Sequence, residues 1–377
     1  MKKNKTTCAL TVLLFVCLVS LEAAWDSKRL TTNAGISSSP KIALKDKYIY
    51  VAWADDSPGN EEVCFRRSTD KGSTWQSMQR LTNNAGKSKN PDIAASGANV
   101  FLVWSDDTPG NMEIFFQKSG DHGSTWRAAQ RLTFTSSSSA FPRVAVSGAN
   151  VYLVWLDDAA PGNQEIYFRK SIDNGATWQT TKRLTNTAAD SWDPAIAVSS
   201  TNIYVVWHDE TPGNEEIYLR RSTDEGSTWK TAQRLTNNTG RSVYPEIGVY
   251  GANLYVVWSD ATPGNDEIFL RRSIDGGSTW LASQQLTNNI DTSWAPAITI
   301  NFGTNIYVVW HNWVSGSWDI YLRCSSDSGS TWQPQQRITT NSGDSENPAI
   351  TNNTLYTYIV YDDDTPGNKE IFLKYAD

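Results

Sequence analysis

The chain has 377 residues, of which 39% are hydrophobic and 19% are charged, so it is neither a disordered polyelectrolyte nor a bundle of membrane helices. The formal net charge of −7 argues against nucleic acid or an anionic membrane surface as a partner. Although Trp and Tyr are abundant, 3 His and 4 Cys leave little material for a transition-metal site. We therefore expect neither a metal nor a cofactor.

Residues 1–24 have the pattern of a secretory signal peptide. Three lysines precede an apolar run from Cys8 to Leu21, which is short for a membrane span. Cleavage between Ser20 and Trp25 predicts a secreted or surface-exposed protein with no membrane span after processing. The alternative is an uncleaved anchor.

Residues 25–377 contain a repeat marked by a proline every 51 or 52 residues. Within each repeat, an apolar strand follows the proline, and a turn leads to a second strand that ends in an aromatic residue. A loop of the type Asp-Asp-Thr-Pro-Gly-Asn then precedes a third strand. A Ser-x-Asp-x-Gly-x-Thr-Trp turn and a fourth strand complete the repeat. The marker residues are Pro40, Pro91, Pro142, Pro194, Pro245, Pro296 and Pro348.

Four short strands per repeat are typical of a β-propeller blade. The first three strands occur seven times but the Asp turn only six, and residues 25–31 resemble a fourth strand without a blade. We therefore predict one all-β domain over residues 25–377, a seven-bladed propeller of four-stranded antiparallel blades. Its N-terminal strand joins the last blade and closes the ring. We expect a monomer.

The six Asp turns resemble the Asp-box, or bacterial neuraminidase repeat. Sialidases, other glycoside hydrolases, sortilin-type receptors and lectin-like propellers carry this repeat. Because the box lies away from the binding face in those families, the resemblance implies a structural role. The chemistry agrees, since a short Asp accepts bonds from nearby backbone N–H groups and Gly permits positive φ. The residues are Asp70, Asp121, Asp173, Asp224, Asp275 and Asp327.

The loops of successive antiparallel strands alternate between the two ends of the propeller. The Asp turns lie at one end, and the Pro-Gly-Asn loops lie at the other with the connections between blades. The repeats differ most in the two residues before each marker proline, which belong to this second end. Repeats that vary at one place on one face usually present a binding site there.

Blades three to six place aromatic residues before the proline, and blade six replaces its Pro-Gly-Asn loop with a Trp-rich stretch. Aromatic rings beside Asp, Asn and Ser suit sugars, so we expect a glycan or glycoconjugate as the partner. The alternative is that these rings only fill the mouth of the channel. The predicted ligand-binding residues are Phe141, Trp192, Asp193, Tyr244, Trp294, His311, Trp313 and Trp318.

The repeated loop also resembles a calcium site, because Asp55, Asp56, Asn60 and Glu62 recur in most blades. However, Pro-Gly predicts a type II turn, and Asp beside a turn commonly accepts bonds from backbone N–H groups. No copy has the spacing of a known calcium loop. We favour the structural interpretation.

The Asp-box resemblance also raises sialidase activity, which needs three arginines for the substrate carboxylate, an acid, and a Tyr activated by Glu. Outside the repeated positions, the variable face carries only Arg143 and Arg241, and the Arg-Ile-Pro motif of that family is absent. Sialidases of this family also have six blades. A sialidase-like exo-glycosidase is therefore the alternative to a lectin-like protein, and a protein-binding scaffold is the third possibility.

A weaker set of catalytic candidates remains. Tyr244 and Glu246 share one loop, and Asp193 and Arg143 lie one and two blades away. Asp193 would be the acid, and the Tyr–Glu pair would be the nucleophile and its base. Because charged residues follow the proline in several blades, a salt-linked ring in the central channel explains them equally well. That ring would consist of Lys41, Asp92, Arg143 and Glu246.

Overall fold

The computed structural model describes residues 25–57, 59–158 and 162–376; the predicted signal segment lies outside these ranges. This part of the chain folds into seven four-stranded antiparallel sheets arranged in a ring, which confirms the predicted seven-bladed propeller. No helix in the described ranges is long and apolar enough to cross a membrane.

Blades 1 to 6 each contain four consecutive strands, whereas blade 7 combines the two ends of the described chain. Blades 1 to 3 consist of β2 (Ser37–Lys45), β3 (Tyr48–Asp55), β4 (Glu62–Ser68), β5 (Gln79–Arg80); β6 (Ser88–Ser96), β7 (Asn99–Asp106), β8 (Glu113–Ser119), β9 (Gln130–Arg131); and β10 (Ser139–Ser147), β11 (Asn150–Asp157), β12 (Glu165–Ser171), β13 (Lys182–Arg183). Blades 4 to 6 consist of β14 (Ser191–Ser199), β15 (Asn202–Asp209), β16 (Glu216–Ser222), β17 (Gln233–Arg234); β18 (Ser242–Tyr250), β19 (Asn253–Asp260), β20 (Glu267–Ser273), β21 (Gln284–Gln285); and β22 (Ser293–Asn301), β23 (Asn305–Val314), β24 (Ser317–Ser325), β25 (Gln336–Arg337). Blade 7 consists of β26 (Ser345–Asn352), β27 (Thr357–Asp363), β28 (Glu370–Ala376) and β1 (Asp26–Arg29).

The ring closes through the pairing of β1 with β28, as the copy counts predicted. The two strands are antiparallel, with Asp26 opposite Tyr375 and Arg29 opposite Phe372. Beyond the ladder, Leu30 N donates to Ile371 O at 2.7 Å. This closure leaves β28 without an open edge.

The hydrophobic core is divided into seven clusters, each shared by two neighbouring blades. The second strand of each blade lies between two sheets, so it is buried on both faces and its sequence is almost continuously apolar. Each of the six tryptophans near the ends of these strands is at most 1% exposed. They are Trp53, Trp104, Trp155, Trp207, Trp258 and Trp310.

Each Asp turn is held by the same set of hydrogen bonds. In blade 1, Thr74 N donates to Asp70 Oδ1 at 2.8 Å, and Thr74 Oγ1 donates to Oδ2 at 2.6 Å. Ser68 Oγ donates to the same carboxylate and accepts from Gly72 N, both at 2.8 Å. Because every carboxylate oxygen is used inside its own turn, the contacts are those of a structural element.

Candidate functional site

A cavity of about 230 Å³ lies where the central channel opens, at the end opposite the Asp turns. All seven marker prolines line it, together with the residue before each proline and four of the residues that follow. The residues other than proline are Ser39, Lys41, Asn90, Phe141, Arg143, Asp193, Tyr244, Glu246, Ala295, Ala297 and Asn347.

A β-bulge in the first strand of every blade produces this lining. Pairing in blade 4 passes from Trp192–His208 directly to Ala195–Val206, so Asp193 and Pro194 have no partners in the ladder. The residue before each proline has a φ between 48° and 54°, in the left-handed region. That conformation costs a non-glycine residue on the order of 1–3 kcal/mol, and such positions often occur at binding sites. The bulge turns this residue towards the channel.

The bulge separates the aromatic residues that the sequence grouped together. Phe141 and Tyr244 precede their prolines directly and line the cavity, whereas Trp192 and Trp294 lie one residue earlier and do not. Each Trp instead packs edge-on against the cavity ring of the preceding blade. The ring centroids of Phe141 and Trp192 are 6.5 Å apart, and those of Tyr244 and Trp294 are 5.2 Å apart.

The remaining predicted residues form a second aromatic cluster on the β23–β24 hairpin. Trp313 and Trp318 face each other across the hairpin with ring centroids 5.3 Å apart. His311 lies 4.7 Å from the Trp318 ring and is buried. Its Nδ1 accepts a bond from the backbone of Asn347 at 3.3 Å, which links this cluster to the cavity wall.

Charged residues cluster below the aromatic rings. Arg143 Nη2 of blade 3 donates to Glu246 Oε1 of blade 5, and Asp92 Oδ2 accepts from Val144 N at 2.8 Å. Burial lowers the pKa of Lys41 and raises the pKa of Asp92. Of the predicted salt-linked ring, the structure contains one ion pair, Arg143 with Glu246. Lys41 and Asp92 are close enough to interact with this pair electrostatically.

Asp193 is a buried carboxylic acid that lines the cavity. Burial raises its pKa to about 6, although the Arg143 guanidinium opposes the shift. Its Oδ2 lies 3.7 Å from Nδ1 of His208, whose pKa burial lowers to about 4. The imidazole is therefore neutral at pH 7, and it supplies no positive charge to the cavity.

The three-arginine arrangement of a sialidase is not assembled in the described ranges. Arg143 is the one arginine that lines the cavity there, and it is paired with Glu246. Arg241 pairs with Asp266 at 2.9 Å. Burial raises the pKa of Tyr244 and keeps its phenol protonated, which is the opposite of an activated nucleophile.

The repeated loops use their carboxylates for protein contacts. Asp55 is buried and accepts bonds from Trp53, Ser37, Asn33 and Ser57. The described ranges contain no group of three or more His, Cys, Asp or Glu side chains arranged to hold a metal ion.

In the repeated loops the glycine after the proline has the positive φ that the predicted type II turn requires, with a φ of 109° at Gly110. Gly110 N also donates to Asp107 O at 2.9 Å and closes an overlapping turn. The backbone is held by this bond and by Asp106 Oδ1, which accepts from Thr108 N.

Polar side chains occur one residue after the second-strand tryptophan in several blades, and only His311 among them was predicted as a site residue. Ser105, His208, Ser259 and His311 occupy this position in four blades, and each has one buried polar atom without a hydrogen-bond partner. The pattern was visible as a polar residue that recurs at the end of an apolar strand. That His208 and His311 lie beside the cavity-lining residues Asp193 and Asn347 follows only from the tertiary structure.

Comparisons with solved structures show the fold. A polysaccharide lyase, ulvan lyase, superposes with a TM-score of 0.63 at 11% identity, covering 90% of this chain and 94% of its own. A Dyadobacter fermentans protein of unknown function superposes with a TM-score of 0.60 at 13% identity, covering 93% of this chain and 98% of its own. The endosialidase of phage phi92 superposes with a TM-score of 0.59 at 11% identity, covering 94% of this chain and 69% of its own.

No curated protein matches the chain. The sequence profile of the BNR repeat-like domain matches residues 45–256, which is more than half of the chain. The matched segment includes four of the six Asp turns and the first strands of blades 2 to 5. The chain therefore belongs to the BNR repeat-like domain family.

Proposed function

We propose that this protein binds carbohydrate, without hydrolysing it, in the cavity at the mouth of its central channel. The observation that carries the proposal is that Phe141 and Tyr244, each 37% exposed, line a cavity whose other walls are proline, alanine and polar residues. Sugars stack their C–H faces on such rings, and their hydroxyl groups bond to carboxylates and amides. Asp193, Asn90 and Asn347 offer those groups.

The exposed hairpin of blade six extends the proposed site. The cavity is small compared with typical small-molecule pockets, so it suits a single sugar unit. Trp313 is 37% exposed on the β23–β24 hairpin and offers a further stacking surface. We expect this surface to contact a second unit of a longer glycan.

Two comparisons support a carbohydrate ligand, since one similar structure is a polysaccharide lyase and another an endosialidase. Sialidase-type hydrolysis is disfavoured because Arg143 is engaged by Glu246 and the Tyr244 phenol remains protonated. The lysine-led apolar segment at residues 1–24 supports our proposal that the protein works outside the cytoplasm.

The test is a glycan-array screen followed by titration of the strongest glycan. We expect Phe141→Ala and Tyr244→Ala to lower affinity about tenfold or more, because each removes a stacking surface in the cavity. Phe134→Ala is the control, since Phe134 is 73% exposed and packs on Arg131 outside the cavity. Unchanged affinity in both cavity variants, or an equal loss in the control, would contradict the proposed site.

A further inference from the structure

We infer that the cavity selects uncharged sugars and excludes carboxylated and sulfated ones. The inference rests on the proposed function, because it concerns the ligand of the same cavity. It follows from the number, pairing and burial of the charges around the mouth.

Carboxylates outnumber cations around the cavity. Arg143 is bonded to Glu246, and Lys41 interacts electrostatically with this pair and with two further carboxylates. Asp92 and Asp193 bring the local set to three carboxylates against two cations. An added carboxylate or sulfate would therefore enter a buried group that already has an excess of negative charge.

Cations around the mouth are also occupied. Arg241 pairs with Asp266, Lys89 pairs with Glu61 at 2.9 Å, and Lys369 contacts two carboxylates. The repeated loops at this end place further acidic side chains around the mouth. They are Asp56, Asp107, Asp158, Glu210 and Asp364.

To bind the Arg143 guanidinium, an anionic sugar would have to displace Glu246 from it. That exchange would leave the Glu246 carboxylate unpaired in a poorly solvated cavity, and an unpaired buried charge is strongly unfavourable. Hydroxyl groups need no such exchange. The side chains of Arg143 and Glu246 are 24% and 22% exposed, so they retain surface that can donate to and accept from a neutral sugar.

The experiment compares matched neutral and acidic glycans. One pair is N-acetyllactosamine oligomers with and without terminal sialic acid, and the other is galacturonic acid hexaose with free carboxylates and with methyl-esterified ones. We expect each acidic member that has a bound neutral counterpart to bind about tenfold or more weakly than that counterpart. Equal or stronger binding of the charged members would overturn the inference and leave the proposed function intact. If no glycan binds, both fail.

Two variants test whether the ion pair is the cause. Glu246→Gln frees the Arg143 guanidinium, so we expect the affinity for the sialylated glycan to rise about tenfold. Adding Arg143→Gln to this variant should abolish the gain, and Glu346→Gln is the control because Lys369 keeps Asp362 as its partner. Thermal unfolding verifies that each variant is folded. A folded Glu246→Gln protein with unchanged selectivity would overturn the inference.

Discussion

Asp193 shows how a single side chain acquires its properties from the ring. It occupies left-handed backbone with a φ of 48°, lines the cavity, and lies beside the neutral His208. The sequence Trp-Asp-Pro identifies a variable position before a proline. It does not show the burial that raises the pKa of this carboxyl to about 6.

Replacing Asp193 with Asn should stabilise the protein above pH 6. The pKa of Asp193 is raised above its unfolded value, so folding is disfavoured by ionisation, and the penalty grows as pH rises from about 4 to about 6. We expect Asp193→Asn to be more stable by up to about 3 kcal/mol at pH 7 and equal to the parent near pH 3.

Urea unfolding at a series of pH values measures this difference. Asp291→Asn serves as the control because Asp291 is exposed. A stability difference that is independent of pH between 3 and 8 would show that ionisation of Asp193 is not the cause.

At the scale of elements, the Asp turns fasten neighbouring blades as well as closing their own loops. Gly175 has a φ of +78°, and a Cβ built on it would lie 2.3 Å from Phe116 Cζ of the preceding blade. Trp178 of the same turn packs edge-on against that ring at 5.0 Å. The glycine is therefore required both by its backbone conformation and by this close contact.

We expect Gly175→Ala to destabilise the protein more than Gly148→Ala does. Gly148 also has a positive φ, at +61°, but a Cβ there meets nothing within 4 Å. Backbone strain is common to both and costs on the order of 1–2 kcal/mol. Overpacking against Phe116 should add about 1–3 kcal/mol in the first variant alone. Denaturant unfolding midpoints measure the stability of the two variants. Equal losses of stability would show that the contact with Phe116 relaxes without cost.

At the scale of the whole molecule, the ring is closed by non-covalent pairing of a short strand. Leu30 follows β1, is 2% exposed, and belongs to the core cluster that joins blades 7 and 1. Leu132 occupies the same position after β9 and belongs to the cluster joining blades 2 and 3. The two sites are matched in packing but differ in covalent connection, since β9 is continuous with its blade.

We expect Leu30→Ala and Leu132→Ala each to lower the free energy of unfolding by about 2–5 kcal/mol, the usual effect of truncating a buried leucine. In Leu30→Ala alone, amide exchange in β28 should accelerate, because detachment of β1 exposes that edge. Hydrogen exchange read out by mass spectrometry tests this difference. The same exchange pattern in both variants would show that closure is not the weakest point of the ring.

Much of this architecture was predictable because it is periodic. Seven prolines, six Asp turns and an unpaired N-terminal strand determine the number of blades, the strand order and the closure. The shared burial of the second-strand tryptophans also follows, since a strand between two sheets must be apolar on both faces. These properties depend on neighbours in sequence or on the next copy of the same repeat.

The cavity depended on the tertiary structure. The alternation of side chains along a strand does not show which of the two residues before each proline faces the channel, because the bulge shifts the register. As a result Tyr244 lines the cavity, whereas Trp294 does not. The pairing of Arg143 with Glu246, which are 103 residues apart, exists only because the ring brings blades 3 and 5 to a common axis. The sequence alone determined the scaffold, and the closed ring decided which side chains and charges meet at its mouth.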